Sequence, residues 1–282
     1  MNNPILVSTI AFDGYDLDTT LEEMAAAGVE NVELAYSEAY TAPVTEENFS
    51  RAAALRVLDS LRASGLKCLC LAAHTDMSLA NSVNKFKRRI DFAGNLGAEY
   101  IVSTAGPIAN RDQFLKNIRH LGDYADEAGV TICLENMGDG RPNIIDSAAP
   151  AVQLIREISL PSVKINYDFA NLLPHLAERL RPEDDYKIAL PETGYFHVKD
   201  AAKYDNGNWH FPAIGAGSID FTSILPVLAA HPEPIPLSLE LSLRINRLPD
   251  ATPIRAEKPV PLEIIGDVLT ESLQFIKRYI SS

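Results

Sequence analysis

At 282 residues and 30.9 kDa, the chain is longer than most single domains, yet a barrel of alternating strands and helices reaches this size as one unit. Hydrophobic residues make up 46% of it and charged residues 22%, the balance of a globular protein with a full core. The formal net charge of -13, from 38 acids against 25 bases, weighs against nucleic acid or an anionic membrane as the main partner, since both need a positive footprint.

Short apolar or β-branched runs alternate with longer amphipathic ones. The predicted strands are Ile5–Phe12, Val29–Tyr36, Leu66–His74, Tyr100–Gly106, Val130–Asn136, Val163–Phe169, Tyr195–Asp200 and Pro236–Leu243. Helical patterns lie between them at Leu17–Ala27, Glu46–Ser64, Leu79–Leu96, Arg111–Ala128, Ile145–Ile158, Pro174–Leu190 and Ile219–Ala230, with a last one at Leu262–Ile280. Gly28, Gly65, Gly97 and Gly129 end helices just before a strand, as a C-terminal cap does. Strict alternation of eight strands with eight helices is the pattern of an α/β fold, a parallel (β/α)8 TIM barrel. An open doubly wound sheet would more often stop at fewer strands. No linker or low-complexity segment divides the chain, so residues 1–282 read as one domain.

Cys68, Cys70 and Cys133 all sit in apolar runs, and the odd count argues for a reducing compartment over a disulfide framework. The start, Met1-Asn2-Asn3-Pro4, lacks the basic and apolar regions of a secretory signal. No run reaches the ~18 apolar residues of a membrane helix. A cytoplasmic location is expected.

Strand parity locates the chemistry. Alternate residues of a strand face opposite sides. In Val130–Asn136, Ile132 and Leu134 oppose Thr131, Cys133 and Glu135; in the next strand Val163, Ile165 and Tyr167 oppose Lys164, Asn166 and Asp168. Phe196 and Val198 then oppose Tyr195, His197 and Lys199, and four leucines oppose Ser238, Glu240 and Ser242. The apolar sets suit packing under the outer helices, which sends the polar sets into the barrel. Glu135, Asp168, His197 and Glu240 therefore fall near the C-terminal ends of strands five to eight, the face that carries barrel active sites. Three carboxylates and an imidazole converging there would repel one another and be costly to desolvate. A single divalent cation resolves the conflict. Mostly oxygen ligands with one nitrogen suit Mn, Co or Mg, with Zn also compatible.

Cys133-Leu134-Glu135-Asn136, Asn166-Tyr167-Asp168, His197-Val198-Lys199-Asp200, Gly215-Ala216-Gly217-Ser218-Ile219-Asp220-Phe221 and Leu239-Glu240, in this order along nearly the whole chain, resemble the signatures of the xylose-isomerase-like TIM barrel superfamily. That group includes sugar and sugar-phosphate isomerases and epimerases, related dehydratases, and AP endonucleases. The resemblance implies that Glu135, Asp168, His197 and Glu240 are the metal ligands, and that Glu135 and Glu240 are the acid/base pair. It implies a metal-dependent isomerase or epimerase of a sugar or sugar phosphate, working by proton transfer through a metal-stabilised enediolate. Expulsion of a β-hydroxyl from the same intermediate would instead give a dehydratase acting on a keto-polyol or dehydroshikimate-like substrate. Two positions depart from the sugar 3-epimerases: Asn171 stands where those have His, and Lys203 where those have Arg. Asn171 can still bond a hydroxyl and Lys203 can still place a cation.

Further residues have two readings each. His74 ends strand three on the inward parity and is a candidate substrate contact or a strand cap. Lys199 shares the inward parity and is a substrate-contact candidate. Glu33 is inward on strand two and could support a metal ligand from behind or be a structural partner for Lys164; the structural role is the preferred reading. Arg244 and Arg247, after strand eight, could grip a phosphate or carboxylate, or serve a solvated or oligomer-contact role. The loops 136–143 and 201–215, the second with Trp209, are candidate lids, and Gly215–Gly217 reads as a tight turn. His120, His175 and His231 are read as helix-surface residues. Competing classes are a Schiff-base lyase or aldolase using Lys164 and a non-catalytic sugar-binding barrel. The expected partner is a small carbohydrate or polyol-like molecule, with no nucleic acid and no membrane; a homo-oligomer is compatible with the sequence.

Overall fold

The computed structural model describes residues 3–37 and 44–280. Met1 and Asn2, on which part of the reading of the chain start rests, lie outside them. Eight parallel strands close into a barrel: β1 (Ile5–Ser8), β2 (Asn31–Ser37), β3 (Lys67–Asp76), β4 (Tyr100–Thr104), β5 (Thr131–Glu135), β6 (Val163–Asp168), β7 (Thr193–Val198) and an eighth at Leu237–Leu239 that pairs with both β7 and β1. The predicted (β/α)8 architecture is the observed one. All three cysteines are buried and free. Among the described residues no helix is long and apolar enough to cross a membrane.

The outer helices dock by narrow apolar stripes. In Arg111–Ala128, Phe114, Ile118, Leu121 and Ala125 are buried at helical spacing, and Gly122 lets the helix approach Leu160 and Val163. Gly129 closes this helix in the left-handed region at φ 69°, a conformation open to glycine at little cost. The barrel interior is a second, small core of Leu6, Cys70, Ala72, Val102, Cys133 and Tyr195. Above it, toward the C-terminal ends of the strands, the interior turns polar.

The structure differs from the expectations at three points that bear on the site. Pro174–Leu190 is not one helix. Leu172–His175 forms a single turn, Ala177 and Glu178 take positive φ, and a new helix starts with Pro182 in its first turn and runs to Ala189. His175 is correspondingly buried rather than on a helix surface: its Nε2 lies 2.8 Å from Asp146 Oδ1, and Gly140 N donates to its Nδ1 at 3.0 Å. It ties the loop after β5 to the turn after β6. The third difference is an added four-stranded antiparallel sheet, made from Ala202–Lys203, Trp209–His210, Ile245–Arg247 and Pro253–Arg255. Both loops after β7 and after the eighth strand contribute to it, and Trp209 is buried in it.

Asp200 anchors this superstructure. Fully buried, its carboxylate accepts from the backbone N–H groups of Ala201, Gly215, Gly217 and Ile219, at 2.8 to 3.2 Å. The Gly215–Gly217 turn therefore wraps a carboxylate of its own chain. Burial raises the Asp200 carboxyl above its usual range, against the pull of these four donors. Asp200→Ala is expected to lower stability by about 3 kcal/mol, because four backbone donors, two buried and two part-buried, lose their acceptor; the shift of the urea midpoint measures it, and an unchanged midpoint would refute the anchoring role.

Candidate metal centre and active site

The register of strands β5 to β7 brings the polar ends together. Asp168 and His197 are directly paired across β6 and β7, and Glu135 is level with Asn166, two residues below Asp168. Ser238 is level with His197, so Glu240 lies just beyond the end of the eighth strand, where its N–H still donates to Val198 O at 3.2 Å. One ligand atom from each of Glu135, Asp168, His197 and Glu240 lies within 4.8 Å of the others, and all four residues are buried. Asn136 pins the β5 and β6 ends to each other: its Oδ1 accepts from Asp168 N at 2.8 Å, and its Nδ2 donates to Asp168 O at 3.0 Å.

His197 shows what the cluster is built to hold. Its Nε2 is 2.9 Å from Glu33 Oε2, an oxygen that also accepts from Tyr195 OH at 2.8 Å. Its Nδ1 faces Glu135 Oε1 at 3.2 Å, Glu240 Oε1 at 3.7 Å and Asp168 Oδ2 at 3.9 Å. With the Nε2 proton given to Glu33, Nδ1 carries a lone pair that accepts from Asn166 Nδ2 at 3.1 Å and is also turned toward three carboxylates. One neutral amide donor does not balance three acids, and a proton or a cation among them relieves the repulsion. Asp168 Oδ2 accepts no well-formed hydrogen bond, although Lys199 Nζ is 2.6 Å away as an ion-pair partner. Three oxygen donors and one imidazole nitrogen, all on buried residues, fit a divalent cation.

The titration behaviour follows from the same crowding. Burial raises the Asp168 carboxyl; Lys199 pulls it down, and Glu240 and Glu135 push it back up, leaving it raised. Burial acts to lower the His197 imidazolium, but Glu33, Glu240 and Glu135 hold it well above its usual value. Glu33, pushed up by burial, is brought down to about 2 by His197 and by its hydrogen bonds. Burial opposes ionisation of Glu135 too, yet His197 and His74 keep it well below the usual carboxylate range.

Above the cluster lies a cavity of about 350 Å³. Its walls include Glu135 and Glu240, whereas Asp168 and His197 are not among its lining residues and are fully buried. Of the other residues singled out in the sequence, His74, Asn171 and Lys199 line the cavity. His74 Nε2 meets Glu135 Oε2 at 2.5 Å, and Asn171 Nδ2 donates to Glu135 Oε1 at 3.0 Å. Gly138 packs so closely on Asn171 that any side chain there would strike its amide. Lys199 Nζ bridges Asp168 and Glu240.

Lys203 stands elsewhere. It pairs with Glu178 and lies over the Trp209 ring at 4.4 Å from the centroid, outside the cavity lining. Lys164 is likewise absent from that lining, and Glu33 pairs with His197 and Tyr195 in place of the expected Lys164. Arg244 is structural: it donates to Asp13 O, Ala256 O and Glu257 O and pairs with the Asp13 carboxylate. The sheet over the barrel, which periodicity did not reveal, supplies Ile245 and Arg247 to the cavity wall, and Phe211, next to its strand Trp209–His210, joins them.

Comparison with known structures agrees with the barrel fold. A D-psicose 3-epimerase from Clostridium cellulolyticum H10, solved with D-tagatose, superposes with a TM-score of 0.74 at 14% identity, covering 99% of both chains. A xylose isomerase domain protein from Planctomyces limnophilus gives 0.72 at 18% identity over 99% of this chain and 98% of that one. A probable 3-DHS dehydratase from Bacillus anthracis gives 0.69 at 15% identity, over 97% and 98%. No protein of curated function matches the sequence. The family model described as xylose isomerase-like TIM barrel matches residues 21–258, which is most of the chain. The chain belongs to the xylose isomerase-like TIM barrel family.

Proposed function

We propose that this protein is a divalent-metal-dependent isomerase or epimerase of a sugar-like carbonyl compound, with Glu135, Asp168, His197 and Glu240 as metal ligands and Glu135 and Glu240 as the proton-transferring pair. The observation that carries the reading is the division within the cluster: two carboxylates reach the cavity, while Asp168 and His197 stay sealed beneath it. A divalent ion held there would supply the positive charge that stabilises an enediolate once a carbon beside the carbonyl loses its proton.

The chain's own groups are suited to moving that proton. Glu135 is held ionised by His74 and His197 and can accept it. Glu240 shares the cavity and can return one to the substrate. Asn171 and His74 fix both oxygens of Glu135, which limits its orientation. The Schiff-base alternative loses support, because Lys164 is away from the cavity. Burial alone would lower the Lys199 ammonium, but Asp168 and Glu240 hold it raised, the reverse of what an amine nucleophile needs. Dehydration stays open through one feature: the Lys199 ammonium at the cavity wall could protonate a departing hydroxyl.

Incubation in deuterated water with a panel of sugars, sugar phosphates and cyclic ketones tests the reading. Deuterium should enter a substrate carbon, stop entering after chelation, and resume on adding Mn or Co. Exchange undiminished by chelator, or no exchange across the panel with metal present, would refute it; an unsaturated product would assign the dehydratase branch.

A further inference from the structure

We infer that the substrate carries an oxyanion, a carboxylate or a phosphate, which Arg247 receives at the wall of the cavity formed by the added sheet. The inference deepens the proposed function and rests on the same cavity being the active site.

Arg247 is only 7% exposed and lines the cavity. Nη1 donates to Ala251 O at 3.2 Å, while Nε is buried with no partner. Among the described residues no ion pair includes it. The other buried arginines differ. Arg89 is paired with Glu46 and lies over the Phe49 ring, and Arg244 is bonded to the Asp13 carboxylate and three carbonyls. A guanidinium taken out of water without a counter-ion is expensive. The cost is offset when the anion arrives with a ligand, and the planar fork of arginine matches a carboxylate or phosphate.

Charge elsewhere in the cavity supports this placement. The ammonium of Lys199 is engaged by Asp168 and Glu240, His74 by Glu135, and the guanidinium of Arg141, which also lines the cavity, by Asp139. Carboxylates at the barrel strand ends would repel an anionic group, so such a group belongs at the sheet wall, on Arg247. The reacting carbonyl would then lie over the acid cluster. A cavity of about 350 Å³ is at the small end for ligand sites, which matches a monosaccharide-scale sugar acid or sugar phosphate.

Calorimetric titration of the full chain with inorganic phosphate and with acetate tests the site, comparing wild type, Arg247→Gln and Arg247→Lys. Wild type should bind at least one anion saturably, with phosphate preferred if the substrate is a sugar phosphate and acetate if it is a sugar acid. Arg247→Gln should weaken that binding at least tenfold, and Arg247→Lys several-fold with melting temperature retained. Absence of saturable binding, or equal binding in wild type and Arg247→Gln, would overturn the inference. If Arg247→Gln does not fold, Arg247→Lys decides, and unchanged affinity there overturns it. Binding is read without turnover, so the two readings fail separately. Phosphate held through Arg247 without any proton exchange would keep the anion site and remove the reaction, and exchange without anion binding would do the opposite.

Discussion

Glu135→Gln is expected to slow deuterium exchange into substrate by about a thousandfold, within the ~10²–10⁴ range of a lost general base. The neutral amide removes the basic oxygen and also one negative charge from the cation site. Both Glu135 oxygens are engaged: Oε1 by Asn171 and Oε2 by His74. A glutamine therefore fits the space while losing the proton acceptor. Glu240→Gln should produce a loss of similar size, with Lys199 released from one partner. Metal content separates the two contributions: at Mn concentrations that restore full occupancy, the rate defect should persist. A variant that regains wild-type exchange once saturated with Mn would restrict that residue to metal binding, and undiminished exchange without added metal would remove it from the site.

The polar ends of β5 to β7 were legible because period-two alternation survives along them. Ile132 and Leu134 pack outward and Glu135 inward, and the one register shift, between Ile165 and Asn166, falls below Asp168 and leaves its pairing with His197 in place. The sheet over the barrel was not legible, since strands of two or three residues are too short to show a period. Arg247 could be flagged by composition alone, but its isolation from any carboxylate is a property of tertiary packing. His175 carried a helical pattern on both sides, and only the chain reversal at Ala177 and Glu178 buries it against Asp146. Lys203 lay at a family-like spacing from His197, but the sheet turns it toward Glu178.

Of the two roles open to Glu33 from its inward place on β2, the structure shows the one behind a site residue, against His197, in place of the preferred pairing with Lys164, and that contact yields the second large expectation. Glu33→Gln should weaken Mn affinity by about 10- to 100-fold, the usual penalty for losing the carboxylate behind a ligating imidazole. Glu33 Oε2 receives Tyr195 OH and faces His197 Nε2 at the bottom of the site, while Oε1 has no partner. The carboxylate keeps the imidazole proton on Nε2, so Nδ1 presents a lone pair on the side of Glu135, Asp168 and Glu240, where Asn166 Nδ2 also approaches it at 3.1 Å. A glutamine can turn its amide donor toward Nε2, which moves the proton to Nδ1 and blocks the ligand position. Tyr195→Phe removes only one of the two donors to Glu33 and should have a smaller effect, so the order of the two variants tests the tautomer argument as well as the contact. Competition against a chromophoric chelator measures both affinities. Equal Mn binding by wild type and Glu33→Gln would mean that His197 needs no carboxylate behind it, and the account of why Nδ1 faces three acids would then have to rest on a protonated imidazole in place of a metal.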